Sequence, residues 1–114
     1  MKTTDRGWAG HFCDAGRCLY HRNTLIESCK KKVIVSTVGN YRVDGEITEI
    51  GAGRYYETLV FEAVKGNCIY IDADVSKQIE FNSNWQIKTV LSNVDNIADA
   101  MHNKVVDEMK SLLK

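Results

Sequence analysis

The sequence predicts an α+β domain: an antiparallel β-sheet packed by one C-terminal α-helix, with a zinc-knuckle-like segment ahead of the sheet. Three observations carry this. Residues 32–38 form a run dense in β-branched side chains, which suit a pleated, half-buried surface. Residues 55–64 and 68–75 read as two longer strands separated by Lys65-Gly66-Asn67, a hairpin connection. From Val94 onward the apolar period changes from two to 3.6, with Val94, Ile97, Ala98, Met101, Val105, Met109 and Leu112 on one arc.

Taken in order, residues 1–6 are polar and read as loose. Residues 8–13 read as a short strand, which would turn His11 and Cys13 to one face because strand side chains alternate. Asp14-Ala15-Gly16 supplies a turn. Residues 23–29 fit strand or helix. After the strand at 32–38, Gly39-Asn40 and Asp44-Gly45 punctuate the chain, and Asp-Gly is a strong hairpin dipeptide. Residues 46–50 alternate as a half-buried strand should, and Gly51-Ala52-Gly53 ends them. Residues 78–81 add a short edge strand. Ser92 or Asn93 caps the helix, Asp95 suits its first turn, and Lys110 and Lys114 suit its last.

With 114 residues, the chain is one domain spanning positions 1–114. A chain of this size buries roughly two thirds of its unfolded surface and needs no metal to form a core. No apolar run approaches the about 20 residues of a membrane-crossing helix, and there is no charged-then-apolar leader. The expectation is a cytoplasmic protein with no membrane partner. Its four cysteines then read as thiols or metal ligands, not disulfides. Cys29, ahead of three lysines, and Cys68, in an apolar run, read as ordinary thiols.

The formal net charge is zero, yet positions 1–42 carry eight Lys/Arg against three Asp/Glu, and positions 43–114 carry seven against twelve. The two parts therefore attract one another, or offer a basic surface to phosphate and an acidic one to a basic partner. Asp95, Asp99, Asp107 and Glu108 would form the acidic helix face.

The richest chemistry lies in residues 11–21, whose pattern is H-x-C-x4-C-x2-H: His11, Cys13, Cys18 and His21. Zinc takes four nitrogen and sulfur ligands in a closed structural site, or three and an open position in a catalytic one. His102, in the apolar arc of the helix, competes with His21 as the fourth ligand. A site of His11, Cys13, Cys18 and His102 would tie the first segment to the last helix and contribute to folding. An open zinc would need an acid or base. Asp14 and Glu27 are near in sequence, but neither sits in a deaminase or H-E-x-x-H pattern. Asp72 and Asp74 share a strand face, where solvation explains them. Cys18 and His21 as a nucleophile pair would lack an orienting third group. No catalytic residue is assigned. A nucleic-acid reading rests on Arg17, Arg22, Lys30, Lys31 and Lys32, with Trp8, Phe12 and Tyr20 for stacking.

Several stretches, Arg6-Gly7-Trp8-Ala9-Gly10-His11-Phe12, Arg17-Cys18, Arg22-Asn23-Thr24-Leu25-Ile26-Glu27, Ser36-Thr37-Val38-Gly39-Asn40-Tyr41-Arg42, Gly53-Arg54-Tyr55-Tyr56-Glu57-Thr58 and Asp74-Val75-Ser76, resemble small uncharacterised proteins of bacteriophages and other mobile elements. The resemblance spans most of the chain. In those relatives the position of His21 tends to be arginine, which favours His102 as a ligand. Some mobile-element proteins of this size are zinc-containing inhibitors of type II CRISPR nucleases. The resemblance therefore implies a non-enzymatic, zinc-stabilised binding protein acting in a bacterial host cell, with a protein partner such as a CRISPR nuclease whose DNA loading it blocks. The other readings are a small metal-dependent or cysteine enzyme and a nucleic-acid-binding module.

Overall fold

The computed structural model describes residues 1–7, 10–12, 15–65, 71–89 and 94–114. Seven strands form one antiparallel sheet: β1 (Lys2–Arg6), β2 (Cys18–Glu27), β3 (Lys32–Val43), β4 (Glu46–Thr48), β5 (Tyr56–Lys65), β6 (Ile71–Ile79) and β7 (Gln86–Ile87). The main order is β1-β2-β3-β5-β6, with β4 paired to β3 and β7 to β5. One helix, α1 (Val94–Leu112), follows. The α+β architecture expected from the sequence is the one observed.

Alternation builds the core. The register Thr24↔Val35 and Val35↔Val60 sets the even residues of β2, the odd residues of β3 and the even residues of β5 on one face. Ile26, Val33, Val35 and Val60 pack there with Val105 and Met109 of α1. Nearer the start of the helix, Tyr56 and Ile87 pack with Ala98 and Met101. The opposite face buries Leu25, Ile34 and Phe61. At the start of β2 a separate cluster packs Cys18 and Val38 with Phe12, Tyr41 and Ile50. Gly39 sits against the Tyr56 ring so closely that a Cβ would lie 2.1 Å from a ring carbon; glycine is what lets this buried tyrosine cross β3.

Two expectations change. Residues 1–6 are not loose: Lys2–Arg6 pairs with Asn23–Glu27 as an edge strand. Its polar side chains gave no alternation to read, and backbone pairing makes the strand. The ambiguous 23–29 segment is the second half of β2, which begins at Cys18. Of the strand expected at 8–13, the described residues Gly10, His11 and Phe12 lie in no strand; Trp8, Ala9 and Cys13 lie outside the described residues, as do the helix-capping candidates Ser92 and Asn93 and the hairpin residues Gly66 and Asn67. Gln78 and Ile79 end β6, whereas Glu80 and Phe81 lie beyond it. The Asp44-Gly45 turn between β3 and β4 has positive φ at both residues, 52° and 81°, as a two-residue hairpin of this dipeptide requires.

Candidate functional site

The middle strand carries the arrangement that organises the polar interior. In the apolar run Val33-Ile34-Val35-Ser36-Thr37-Val38, adjacent hydroxyl residues occupy the two faces of the sheet, since consecutive strand side chains alternate. Both are fully buried, and a buried hydroxyl needs a partner. Each finds a histidine: Ser36 bonds His11 on one face and Thr37 bonds His102 on the other.

His102 projects from α1 into the sheet and is fully buried. Its Nε2 lies 2.8 Å from Thr24 Oγ1 and its Nδ1 2.7 Å from Thr37 Oγ1. Counting hydrogens orders the row. Thr24 donates its only hydroxyl proton to the Asp5 carboxylate, at 2.6 Å. Thr24 Oγ1 must therefore accept from His102 Nε2–H. A neutral imidazole then has a lone pair at Nδ1, which accepts from Thr37, and Thr37 accepts in turn from Thr58 at 2.6 Å. The row runs one way, from Thr58 through Thr37, His102 and Thr24 to Asp5, and it needs the neutral ring. Burial, with a smaller contribution from the Arg22 charge, pushes the His102 pKa down from 6.5 to about 4, against the opposing pull of Asp5 and Asp99.

His11 sits on the other face. Its Nε2 donates to Glu57 Oε1 at 2.9 Å, an acceptor-only carboxylate, and its Nδ1 lies 2.9 Å from Ser36 Oγ. Arg54 Nε pairs with the second Glu57 oxygen at 2.8 Å and its guanidinium lies over the Trp85 ring, 5.2 Å from the centroid. The His11 ring tilts against Phe61. Burial pushes the Glu57 carboxyl up, but the hydrogen bond and charge of His11, with Arg54, outweigh it and hold its pKa below the usual carboxylate range.

Three carboxylates of α1 fasten it to the rest of the fold. Tyr20 donates to Asp99 at 2.5 Å and Tyr56 donates to Asp95. Glu108 accepts from the Asn82 and Ser83 amides at 2.6 and 2.8 Å and from the Ser83 hydroxyl at 2.6 Å. Burial, and then these acidic partners, raise both tyrosine hydroxyls well above their ordinary pKa. Three of the four carboxylates on the expected acidic helix face thus hold the helix to the rest of the fold.

The structure separates most of the expected metal ligands. Cys18 is buried in its apolar cluster, whereas His21, three residues on in the same strand, is exposed. His11 and His102 are on opposite faces of the sheet, each with both ring nitrogens in protein hydrogen bonds. Cys13 and Asp14 lie outside the described residues. Among the described residues no group of three His, Cys, Asp or Glu side chains is placed to hold a metal ion. Of the aromatics expected to stack on bases, Trp8 lies outside the described residues, and the other two pack against tyrosines: Phe12 lies edge-on to Tyr41 and Tyr20 edge-on to Tyr56. Arg22 lies 3.8 Å from Asp5 and 3.6 Å from Asp99.

Ser36, Thr37, Thr58 and Glu57 were not singled out as site residues by sequence. The available signal was a pair of hydroxyls inside an otherwise apolar β run, a polar interruption that has to be satisfied. In comparisons with protein-family models, with curated proteins and with solved structures, nothing matches this chain.

Proposed function

We propose that the chain is a non-enzymatic binding protein that acts through its surface. One observation carries the reading: the hydroxyls and histidines that the fold brings together are enclosed and already satisfied. Ser36, Thr37, Thr58 and His102 have no solvent-exposed surface; the His11 network ends in the largely buried Glu57 carboxylate, and the His102 row ends at Asp5 on the edge strand. A general base must reach a substrate proton within hydrogen-bond distance, and these point into the sheet. The resemblance to mobile-element proteins makes a type II CRISPR nuclease the first partner to try. The test is a binding assay of the chain against a nuclease–guide assembly, followed by target-DNA loading. A stable complex that loads less DNA supports the reading, and no complex refutes that choice of partner.

Zinc belongs to the proposal at the N-terminal segment, where Cys13 and Cys18 would supply thiolates and the buried Cys18 suits a closed structural site. His11 and His102 would each have to give up a protein hydrogen bond to join it. Elemental analysis of untagged protein decides this: one zinc per chain, lost in Cys18→Ser, supports the site, and a folded metal-free chain removes it.

A hydrolase is the second reading, favoured by one observation, the hydroxyl–imidazole–carboxylate row Ser36–His11–Glu57, which has the order of a nucleophile, base and orienting acid. Labelling of Ser36 by a fluorophosphonate, abolished in Ser36→Ala, would favour it over the binding reading.

A further inference from the structure

The end of the molecule where β2 turns into β3 combines positive charge with exposed aliphatic side chains. The turn itself carries Lys30 and Lys31, and Lys32 opens β3, all exposed. Register brings Lys2 opposite Glu27, which faces Lys32 across the next pair. The Lys30 ammonium donates to the Lys114 carbonyl at 2.7 Å, so the last turn of α1, with Lys110 and Lys114, ends at the same place. Lys77 reaches this end from β6, 4.0 Å from Glu62. Carboxylates accompany them: the half-buried Glu27 and Glu62, paired with Lys32 and Lys31, Asp74, bound to Ser76, Asp72 on β6, and Asp107, one turn before Lys110. Lysines exceed carboxylates here although the whole chain is neutral.

The second observation is independent of charge. Of the large hydrophobic side chains that stand exposed, Met1 (57%), Val75 (59%) and Leu112 (62%) lie beside these lysines: Met1 next to Lys2, Val75 two residues from Lys77, and Leu112 between Lys110 and Lys114. Singly, an exposed aliphatic residue needs no explanation. Several of them interleaved with lysines do.

We propose that this end of the fold is a docking surface for an anionic lipid headgroup layer. Lysine suits a diffuse negative surface, because a flexible stem lets its compact charge stay with the headgroups while the methylenes lie along apolar material. Each lysine near an anionic leaflet contributes roughly a fivefold gain in affinity, and aliphatic side chains at the acyl boundary add the apolar contact that charge alone lacks. A phosphate polymer is the poorer fit. Among the described residues the proposed surface contains no arginine to grip phosphate bidentately and no aromatic side chain to stack on a base, and the aliphatic residues would have nothing to do. Contact is with the surface only: among the described residues no helix is long and apolar enough to cross a membrane.

Co-sedimentation of the full chain with vesicles tests this, using about one third phosphatidylserine in phosphatidylcholine against phosphatidylcholine alone. The expected result is binding to the anionic vesicles that weakens steeply with salt. Lys30→Gln/Lys31→Gln/Lys32→Gln should weaken it by roughly 10- to 100-fold, the lower bound reflecting the ion pairs of Lys31 and Lys32. Leu112→Ser with Val75→Ser should weaken it while leaving the salt dependence unchanged. All five substitutions are at exposed positions, and circular dichroism checks each fold. Equal affinity for both vesicle types, or none for either, overturns the proposal. Double-stranded DNA binding at least as tightly, with no effect of the aliphatic substitutions, also overturns it and assigns the lysines to a phosphate polymer.

Discussion

Acidification tests the ordered row through His102 most directly. In the folded chain burial, helped by Arg22, takes the His102 pKa from 6.5 to about 4; unfolded, the residue returns to the ordinary value. Between those two pH values the unfolded chain binds a proton that the folded chain refuses, so stability falls as pH drops through this window. The neutral row keeps its full contribution above about pH 6.5 and loses it as the pH approaches 4. One pKa unit corresponds to about 1.4 kcal/mol, which makes the loss about 3 kcal/mol, a large fraction of the 5–15 kcal/mol that stabilises a typical domain. Other groups titrate in the same window, so the informative quantity is a difference. Urea melts of the native chain and of His102→Gln are to be compared from neutral pH down to about pH 4. Glutamine offers a donor and an acceptor but no titration; it costs stability at neutral pH, and that cost should shrink by about 3 kcal/mol as the solution is acidified. Parallel curves would refute the reasoning, because they would mean that the buried ring accepts its second proton in the folded state as readily as in water.

Other consequences can be checked in the same melts. Thr37→Val keeps the side-chain shape but removes the donor to His102 Nδ1 and the acceptor for Thr58; leaving such groups unsatisfied costs about 1–3 kcal/mol, and Thr37→Ser should recover most of it. Gly39→Ala forces a Cβ to within 2.1 Å of the Tyr56 ring and 2.8 Å of the Tyr55 carbonyl, so a loss of about 3 kcal/mol or more is expected, much reduced in a Tyr56→Ala background where the ring is absent. Glu108→Gln weakens the bonds to Asn82 and Ser83. Burial pushes the Glu108 pKa up, and those bonds hold it below the ordinary carboxylate value. The substitution should therefore cost about 1 kcal/mol at neutral pH and progressively less once acid has protonated the native carboxyl, with faster amide exchange at Asn82 and Ser83 as the local signature.

Some of this fold could be read from sequence because its signals are local. The 3.6-residue period of α1, the β-branched run of β3 and the Asp44-Gly45 turn each depend on a few neighbouring residues, and each appears where expected. What escaped reading depends on pairing. Lys-Thr-Thr-Asp-Arg has no apolar alternation, yet β1 exists because the edge of β2 from Asn23 to Glu27 offers it a backbone ladder. The two-residue β7 is likewise defined by its partner, through Tyr56↔Ile87 and Glu57↔Gln86. The segment around Cys18 and His21 invited a metal reading because sequence spacing counts ligands without regard to burial; in the fold Cys18 is buried in an apolar cluster and His21 is exposed.

The positions of the two histidines explain why the candidate site was the least legible part. His11 precedes the main sheet and His102 arrives with the final helix, yet both end on adjacent residues of β3, across sequence separations of 25 and 65 residues. Each looks in sequence like a donor awaiting a ligand; in the fold each is the partner that a buried hydroxyl requires. The pair fastens an early loop and the last helix to opposite faces of one central strand. That arrangement draws both of these histidines and their hydroxyl partners inward. On the proposed binding reading, recognition falls to what remains outside, and Asp95, Asp99 and Glu108 of α1 are poor candidates because they already hold the helix in place. The exposed surface that combines charge with apolar side chains is the lysine-rich end beside Met1, Val75 and Leu112. A partner that fits this protein should therefore be sought by negative charge and an apolar boundary, and substitutions there should change binding while leaving the two histidine networks and the melting curve intact.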